Sequence, residues 1–166
     1  MNKTVLIFFI IALSFLGLNS LFTMDERQQG LVLQFGEPKR VIQSSGLHFK
    51  LPLIQNVVRY DVRILEYDLP IEEVIAVDKK RMLIDSFTRF KITDPLEFYK
   101  TVGTESSVRN RLNSNVISSL RRVVGRVTLE ELLSEERSNI MEHIKVEVNN
   151  EASRFGIEVV DVRIRR

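Results

Sequence analysis

The feature that most constrains this chain is an uncharged apolar run near its start. From Thr4 to Phe22 there is no Asp, Glu, Lys or Arg, and Thr4, Ser14, Asn19 and Ser20 are its polar residues. As a helix these residues would rise about 28 Å at ~1.5 Å each, close to the ~30 Å hydrocarbon core of a bilayer. A helix also satisfies its backbone polar groups internally, as lipid requires. The run therefore reads as a membrane-spanning anchor formed by Val5, Leu6, Ile7, Phe8, Phe9, Ile10, Ile11, Ala12, Leu13, Phe15, Leu16, Leu18, Leu21 and Phe22. The alternative is a cleaved export signal, which wants a shorter apolar stretch and small residues at a cleavage site. Here the run ends Gly17-Leu18-Asn19-Ser20-Leu21-Phe22, without that pattern. The expected organisation is an uncleaved anchor over 1–24 and one domain over 25–166. Orientation stays open on charge alone, because Lys3 precedes the run while Arg27, Lys39 and Arg40 follow it.

The rest of the chain has the size of one ordinary domain. Its 44% apolar and 28% charged residues are globular proportions. A net charge of +2 gives no reason to expect nucleic acid. With no cysteine in the sequence, disulfides, thiolate metal sites and cysteine nucleophiles are excluded.

After the anchor the apolar period is two. Leu31, Leu33 and Phe35 share a face, then Gly36-Glu37-Pro38 breaks the run. Leu47, Phe49 and Leu51 share the next face, with His48 and Lys50 opposite. From Val58 to Ile64 the alternation predicts a half-buried strand, Val58, Tyr60, Val62 and Ile64 facing one way. Residues 66–77 suggest two short strands around Pro70, residues 78–81 a polar turn, and Met82 to Thr93 one long strand. At Asp94 the period becomes helical: Asp94 can cap, Pro95 suits the first position and Glu97 can reach back. Gly103 closes this short helix. A second helix is predicted from Glu105 to Val124, with Val108, Leu112, Val116, Leu120 and Val124 at intervals of four and Gly125 as its stop. Thr128 to Glu131 forms a capping box that opens a third, running to Phe155 along a stripe of Leu129, Leu132, Leu133, Ile140, Ile144, Val148, Ala152 and Phe155. Gly156 ends it, and Ile157 to Ile164 forms a last strand. Strands, then helices, then a returning strand predict an α+β fold with a mostly antiparallel sheet.

Chemistry is sparse. His48 and His143 are the only histidines, and neither lies in a spacing that pairs two ligands on one helix face. Ser44-Ser45-Gly46 reads as a turn before a strand rather than a nucleophile elbow. No phosphate-binding glycine loop occurs. Glu130, Glu131, Glu135 and Glu136 stand in first turns, where they complement the helix dipole. No catalytic, cofactor-binding or metal-binding set emerges, and the chain reads as a non-enzyme. Arg109, Arg111, Arg121, Arg122 and Arg126 could form an anionic-ligand site. The favoured reading is that they complement the helix C-terminus and pair with neighbouring acids, since the stretch lacks aromatics for base stacking. Leu51-Pro52-Leu53-Ile54 is an apolar knot. Burial is its default, and in a tethered domain Leu51, Leu53 and Ile54 are also candidate membrane-surface contacts.

The segments Gly30-Leu31-Val32-Leu33-Gln34-Phe35-Gly36, Gly46-Leu47-His48-Phe49-Lys50-Leu51-Pro52 and Val58-Arg59-Tyr60-Asp61-Val62-Arg63 resemble the opening of an SPFH (band 7) domain, the family of stomatin, prohibitin, flotillin and the bacterial HflK and HflC proteins. Residues 79–87 with Lys91-Ile92-Thr93-Asp94-Pro95 resemble its central strand. Leu120-Arg121-Arg122-Val123-Val124-Gly125 and residues 155–164 resemble its later helix and closing strand. The likeness covers nearly the whole chain through the order and spacing of these pieces. The short tail before the apolar run and the Asp85-Ser86 strand resemble the HflC branch more than HflK. The resemblance implies a membrane-anchored scaffold in the bacterial inner membrane, single-pass, with its domain in the periplasm. It implies membrane lipid, an HflK-like paralogue and an FtsH-type AAA+ membrane protease as partners in a hetero-oligomeric ring or cage, no nucleic acid and no cofactor. The alternative within the superfamily is a lipid-microdomain organiser without a protease partner. The family continues past its closing strand into a long helical segment that drives assembly, whereas this sequence ends at Arg166.

Overall fold

The computed structural model describes residues 20–165, in two compact units that divide between Val62 and Arg63. The order of elements is that of an α+β protein, with antiparallel sheets first, then helices, then a closing strand.

The first unit holds β1 (Leu21–Met24), β2 (Gln28–Gln34), β3 (Glu37–Ile42), β4 (Gly46–Phe49) and β5 (Gln55–Asp61). β1 and β4 form a two-stranded ribbon, and β2 lies between β3 and β5 in a three-stranded sheet. Phe22, Met24, Val32 and Ile42 make the core of this unit, with Val57 packed against them. Leu21 and Phe22 therefore belong to a strand and not to the helical span expected to include them. The alternation explains this: Phe22 and Met24 face inward while Leu21 and Thr23 face out. The remaining residues of the apolar run, 4–19, lie outside the described residues.

β3 is a strand that the Gly36-Glu37-Pro38 break concealed. Gln34 pairs with Glu37, so Phe35 and Gly36 are a two-residue hairpin loop, with φ of 51° and 88°. Positive φ at both positions is the geometry whose twist matches paired strands. Pro38 is tolerated because β3 is an edge strand with a register shift beside it. β5 begins and ends three residues before the predicted 58–64: Tyr60 is buried, but Ile64 lies beyond the strand and is exposed.

The second unit holds β6 (Leu65–Asp68), β7 (Glu72–Ile75), β8 (Arg81–Ile84), β9 (Ser86–Ile92), α1 (Pro95–Thr101), α2 (Glu105–Val124), α3 (Leu129–Leu133), α4 (Arg137–Ala152) and β10 (Ile157–Ile164). β9 is central to a sheet ordered β10-β9-β6, and β7 pairs with β8. β6 and β7 are the two short strands expected around Pro70. The long strand predicted over 82–93 is two strands, because at Asp85 the chain leaves the β7–β8 ribbon for the larger sheet. The Asp85 carbonyl accepts the Arg165 N–H at 2.7 Å.

Asp94 caps α1, accepting from the N–H groups of Leu96 and Glu97 at 2.9 and 3.1 Å. Glu97 does not reach back; its carboxylate pairs with Lys100. The stripe of α2 is buried throughout, from Val108 to Val124. The capping box at α3 is present: the Thr128 N–H donates to Glu131 Oε2 at 2.6 Å, and the Glu131 N–H to Thr128 Oγ1 at 3.2 Å. The predicted third helix is nevertheless broken. Ser134 is extended, with ψ of −176°, and its hydroxyl accepts from the Glu136 N–H at 3.2 Å. The interruption resets the phase of the stripe, so Leu132 is buried and Leu133 exposed, while Ile140, Ile144, Val148 and Ala152 stay inside. Gly156, at φ 69°, turns the chain into β10.

Candidate membrane-facing surface

The first unit presents its apolar side chains where burial rules would not place them. In β4 the shared face of Leu47 and Phe49 is the expected one, but it points to solvent: the two are 67% and 54% exposed. The inner side of the ribbon is filled by Phe22 and Met24 from β1. His48 comes to that side, its ring centroid 5.9 Å from that of Phe22 and its Nε2 2.8 Å from the Ser44 carbonyl. In β4 the apolar pair thus faces solvent and the histidine faces inward. His143 is exposed on α4. Across the ribbon Leu21 pairs with Phe49, so it shares their outer face and is itself exposed.

The apolar knot continues this surface. The Leu51 N–H donates to Gln55 Oε1, and the Gln55 N–H to the Leu51 carbonyl, both at 2.9 Å, closing a tight loop. Its tip, Leu53, is 96% exposed at φ 71°. Leu51 and Ile54 are exposed beside it. The hairpin tip Phe35 is joined to this loop, its N–H donating to the Ile54 carbonyl at 3.4 Å, and its ring is 81% exposed. Sequence reasoning named Leu51, Leu53 and Ile54. It put Phe35, Leu47 and Phe49 on the apolar faces of strands without fixing which way those faces point, because outward apolar residues have no periodic signal that separates them from inward ones.

Phe35 and Leu53 share a second property. Both are bulky residues held at positive φ, a conformation that costs on the order of 1–3 kcal/mol. Phe35-Gly36 occupies a loop for which Asn-Gly is the favoured pair. A large apolar side chain that is both strained and exposed adds nothing to the core. The arrangement is suited to contact with an apolar phase outside the domain.

Of the five arginines, Arg121 and Arg122, in the last turn of α2, pair with acids as the favoured reading expects, whereas Arg109 and Arg111 lie over aromatic rings. Arg121 pairs with Glu72 at 2.9 Å, and Arg122 with Glu147. Arg109 lies over the Tyr67 ring at 5.9 Å and Arg111 over Phe155 at 5.0 Å. Among the described residues, no group of His, Asp and Glu is placed to hold a metal ion. The β7–β8 turn is bound by its own ion pair. Lys80, hydrogen-bonded to Asp78 and 3.1 Å away, holds the Asp78 carboxyl below its ordinary value. No helix among the described residues is long and apolar enough to cross a membrane.

Residues 22–166 match the family described as "SPFH domain / Band 7 family". The chain belongs to that family. Among curated SPFH-domain relatives it is similar to Protein HflC of Haemophilus influenzae, 31% identical over 89% of this chain and 54% of that protein. It is also similar to Protein HflC of Buchnera aphidicola subsp. Schizaphis graminum, 29% identical over 100% of this chain and 61% of the relative. A third relative is Modulator of FtsH protease HflC of Escherichia coli K12, 27% identical over 90% of this chain and 47% of its own length. The chain thus spans about half to three fifths of the length of these relatives.

Proposed function

We propose that this chain is a membrane-anchored, HflC-like scaffold subunit that modulates an FtsH-type membrane protease. The observation that carries the reading is the similarity, over most of the chain, to proteins named HflC, one of them named as a modulator of FtsH protease. In this reading residues 4–19 supply a single membrane span, and the chain assembles with an HflK-like paralogue into a ring or cage. The SPFH domain acts by position, as a binding and enclosing body outside the cytoplasm. Leu51, Leu53 and Ile54, together with Phe35, Leu47 and Phe49, rest against the bilayer. The exposed, strained apolar tips support that contact.

The test is copurification from detergent-solubilised membranes. The chain should bring down the protease and the paralogue, and its removal should change the degradation rate of a membrane substrate. Capture of lipid without either protein, with an unchanged degradation rate, would favour the lipid-organising alternative. Alkaline phosphatase fused after Arg166 should be active. An inactive fusion, with an active cytoplasmic reporter at the same site, would reverse the orientation.

A further inference from the structure

The outer face of the β1–β4 ribbon is apolar, and both of its edges carry an arginine. The Lys50 N–H donates to the Ser20 carbonyl at 2.8 Å. In the alternating pattern of an antiparallel pair, the pairs Leu21↔Phe49 and Thr23↔Leu47 then turn their backbone groups away from each other. This places the Phe49 carbonyl on the free edge of β4 and the Thr23 carbonyl on the free edge of β1. Each is taken by a guanidinium: Phe49 by Arg40, and Thr23 by Arg59 at 3.5 Å. Lys50 follows Phe49 directly. None of these three cations has a carboxylate partner among the described residues, and nearby Glu37 is engaged by Lys39 at 3.6 Å. Their situation differs from that of Arg121 and Arg122, which are neutralised by glutamates.

A guanidinium presents five N–H donors in a planar fork. Arg40 and Arg59 each commit a donor to a backbone carbonyl, which fixes the head beside the apolar face and leaves other donors free. Phosphate oxygens match that fork well. Resting on the membrane contact proposed above, we infer that the ribbon selects anionic phospholipids. Leu21, Leu47 and Phe49 meet the acyl boundary, while Arg40, Lys50 and Arg59 take headgroup phosphates. The occupant is a bilayer surface, because a soluble phosphate would leave the apolar face in water.

The absence of native cysteine makes the test direct. Full-length protein carrying Leu53→Cys, labelled with an environment-sensitive fluorophore, is reconstituted into mixed phosphatidylcholine–phosphatidylglycerol vesicles. One lipid or the other is brominated at equal mole fraction. Quenching by brominated phosphatidylglycerol should be at least about twofold stronger, the direction expected for basic residues at an anionic surface. High salt should reduce the preference, as screening requires. The triple change R40Q/K50Q/R59Q should remove it while quenching by phosphatidylcholine persists. Equal quenching by both lipids in the unaltered protein would overturn the selectivity and leave the membrane contact standing. Quenching by neither would overturn the contact itself. Loss of the preference on adding soluble glycerol phosphate would assign the cations to free phosphate and overturn the lipid reading. The salt series needs no change beyond the Leu53→Cys label site, so a preference that salt leaves intact would overturn the electrostatic selection even where the triple change disturbs folding.

Discussion

Asn149 closes the outer edge of the last strand: its Oδ1 accepts the Val159 N–H at 2.9 Å. At the other end of β10, Arg137 donates to the Ile164 carbonyl at 2.6 Å. From Arg137 to Asn149 the helix rises about 18 Å, and from Val159 to Ile164 the strand extends about 17 Å. α4 therefore runs antiparallel to β10 and meets its backbone at both ends. A strand edge left bare is a template for unwanted pairing, and here two helical side chains occupy part of it.

Asn149→Ala should leave the part-buried Val159 N–H without its acceptor and cost about 1–3 kcal/mol. Amide exchange at Val159 should accelerate, and the chemical-denaturation midpoint should fall. Unchanged protection at Val159 would show that the bond does not hold the edge.

Gly156 and Gly103 separate conformation from contact. Both have positive φ, 69° and 75°. A Cβ on Gly156 would stand 2.4 Å from the Asp94 carbonyl oxygen, against a nearest contact of 3.7 Å at Gly103. The Gly156 carbonyl also accepts the N–H groups of Thr93 and Asp94 at 2.9 and 3.1 Å. Gly103→Ala should cost about 1–2 kcal/mol, the left-handed penalty alone. Gly156→Ala should cost clearly more. Equal shifts in melting temperature would mean that the chain relaxes around the new methyl.

Phe35→Asn tests the exposed tip. Asn tolerates the left-handed region that Phe resists, and Asn-Gly is the favoured pair for this loop. The change should leave stability equal or raised by up to about 1 kcal/mol, the lower end of such strain. It should weaken contact with lipid vesicles, read by bromolipid quenching at a label on Leu53→Cys. A clear loss of stability would mean that the ring packs into the domain.

Glu131→Ala and Leu132→Asp differ in kind although the residues are adjacent. The first removes half of a capping box and should cost at most about 1 kcal/mol. The second puts a charge without a partner at a site that is 7% exposed, and should abolish folding or partner binding. A pull-down in which Leu132→Asp behaves as the unaltered chain would separate α3 from the binding body.

Local chemistry made much of the fold legible. The Asp94 cap, the capping box at Thr128 and Glu131, the spacing from Val108 to Val124 and the alternation of the last strand each act over a few residues, so sequence neighbours alone determine them. Where one element meets another, more was needed. The break at Ser134 reset a stripe that looked continuous, and the two-residue loop at Phe35-Gly36 joined a strand whose polar composition concealed it. Asp85 divided one apolar run between two sheets.

The sequence by itself determined that Leu47 and Phe49 share a face, because side chains alternate along a strand. It could not determine which way that face points. Phe22 and Met24 already fill the inner side of the ribbon in the folded unit, so Leu47 and Phe49 are turned outward with Leu21. Periodicity is a property of one strand, whereas inside and outside are set by which other residues reach the core. For that reason the sequence could name Leu51, Leu53 and Ile54 as candidates, but only the tertiary structure separated Leu21, Leu47 and Phe49 from the hydrophobic core.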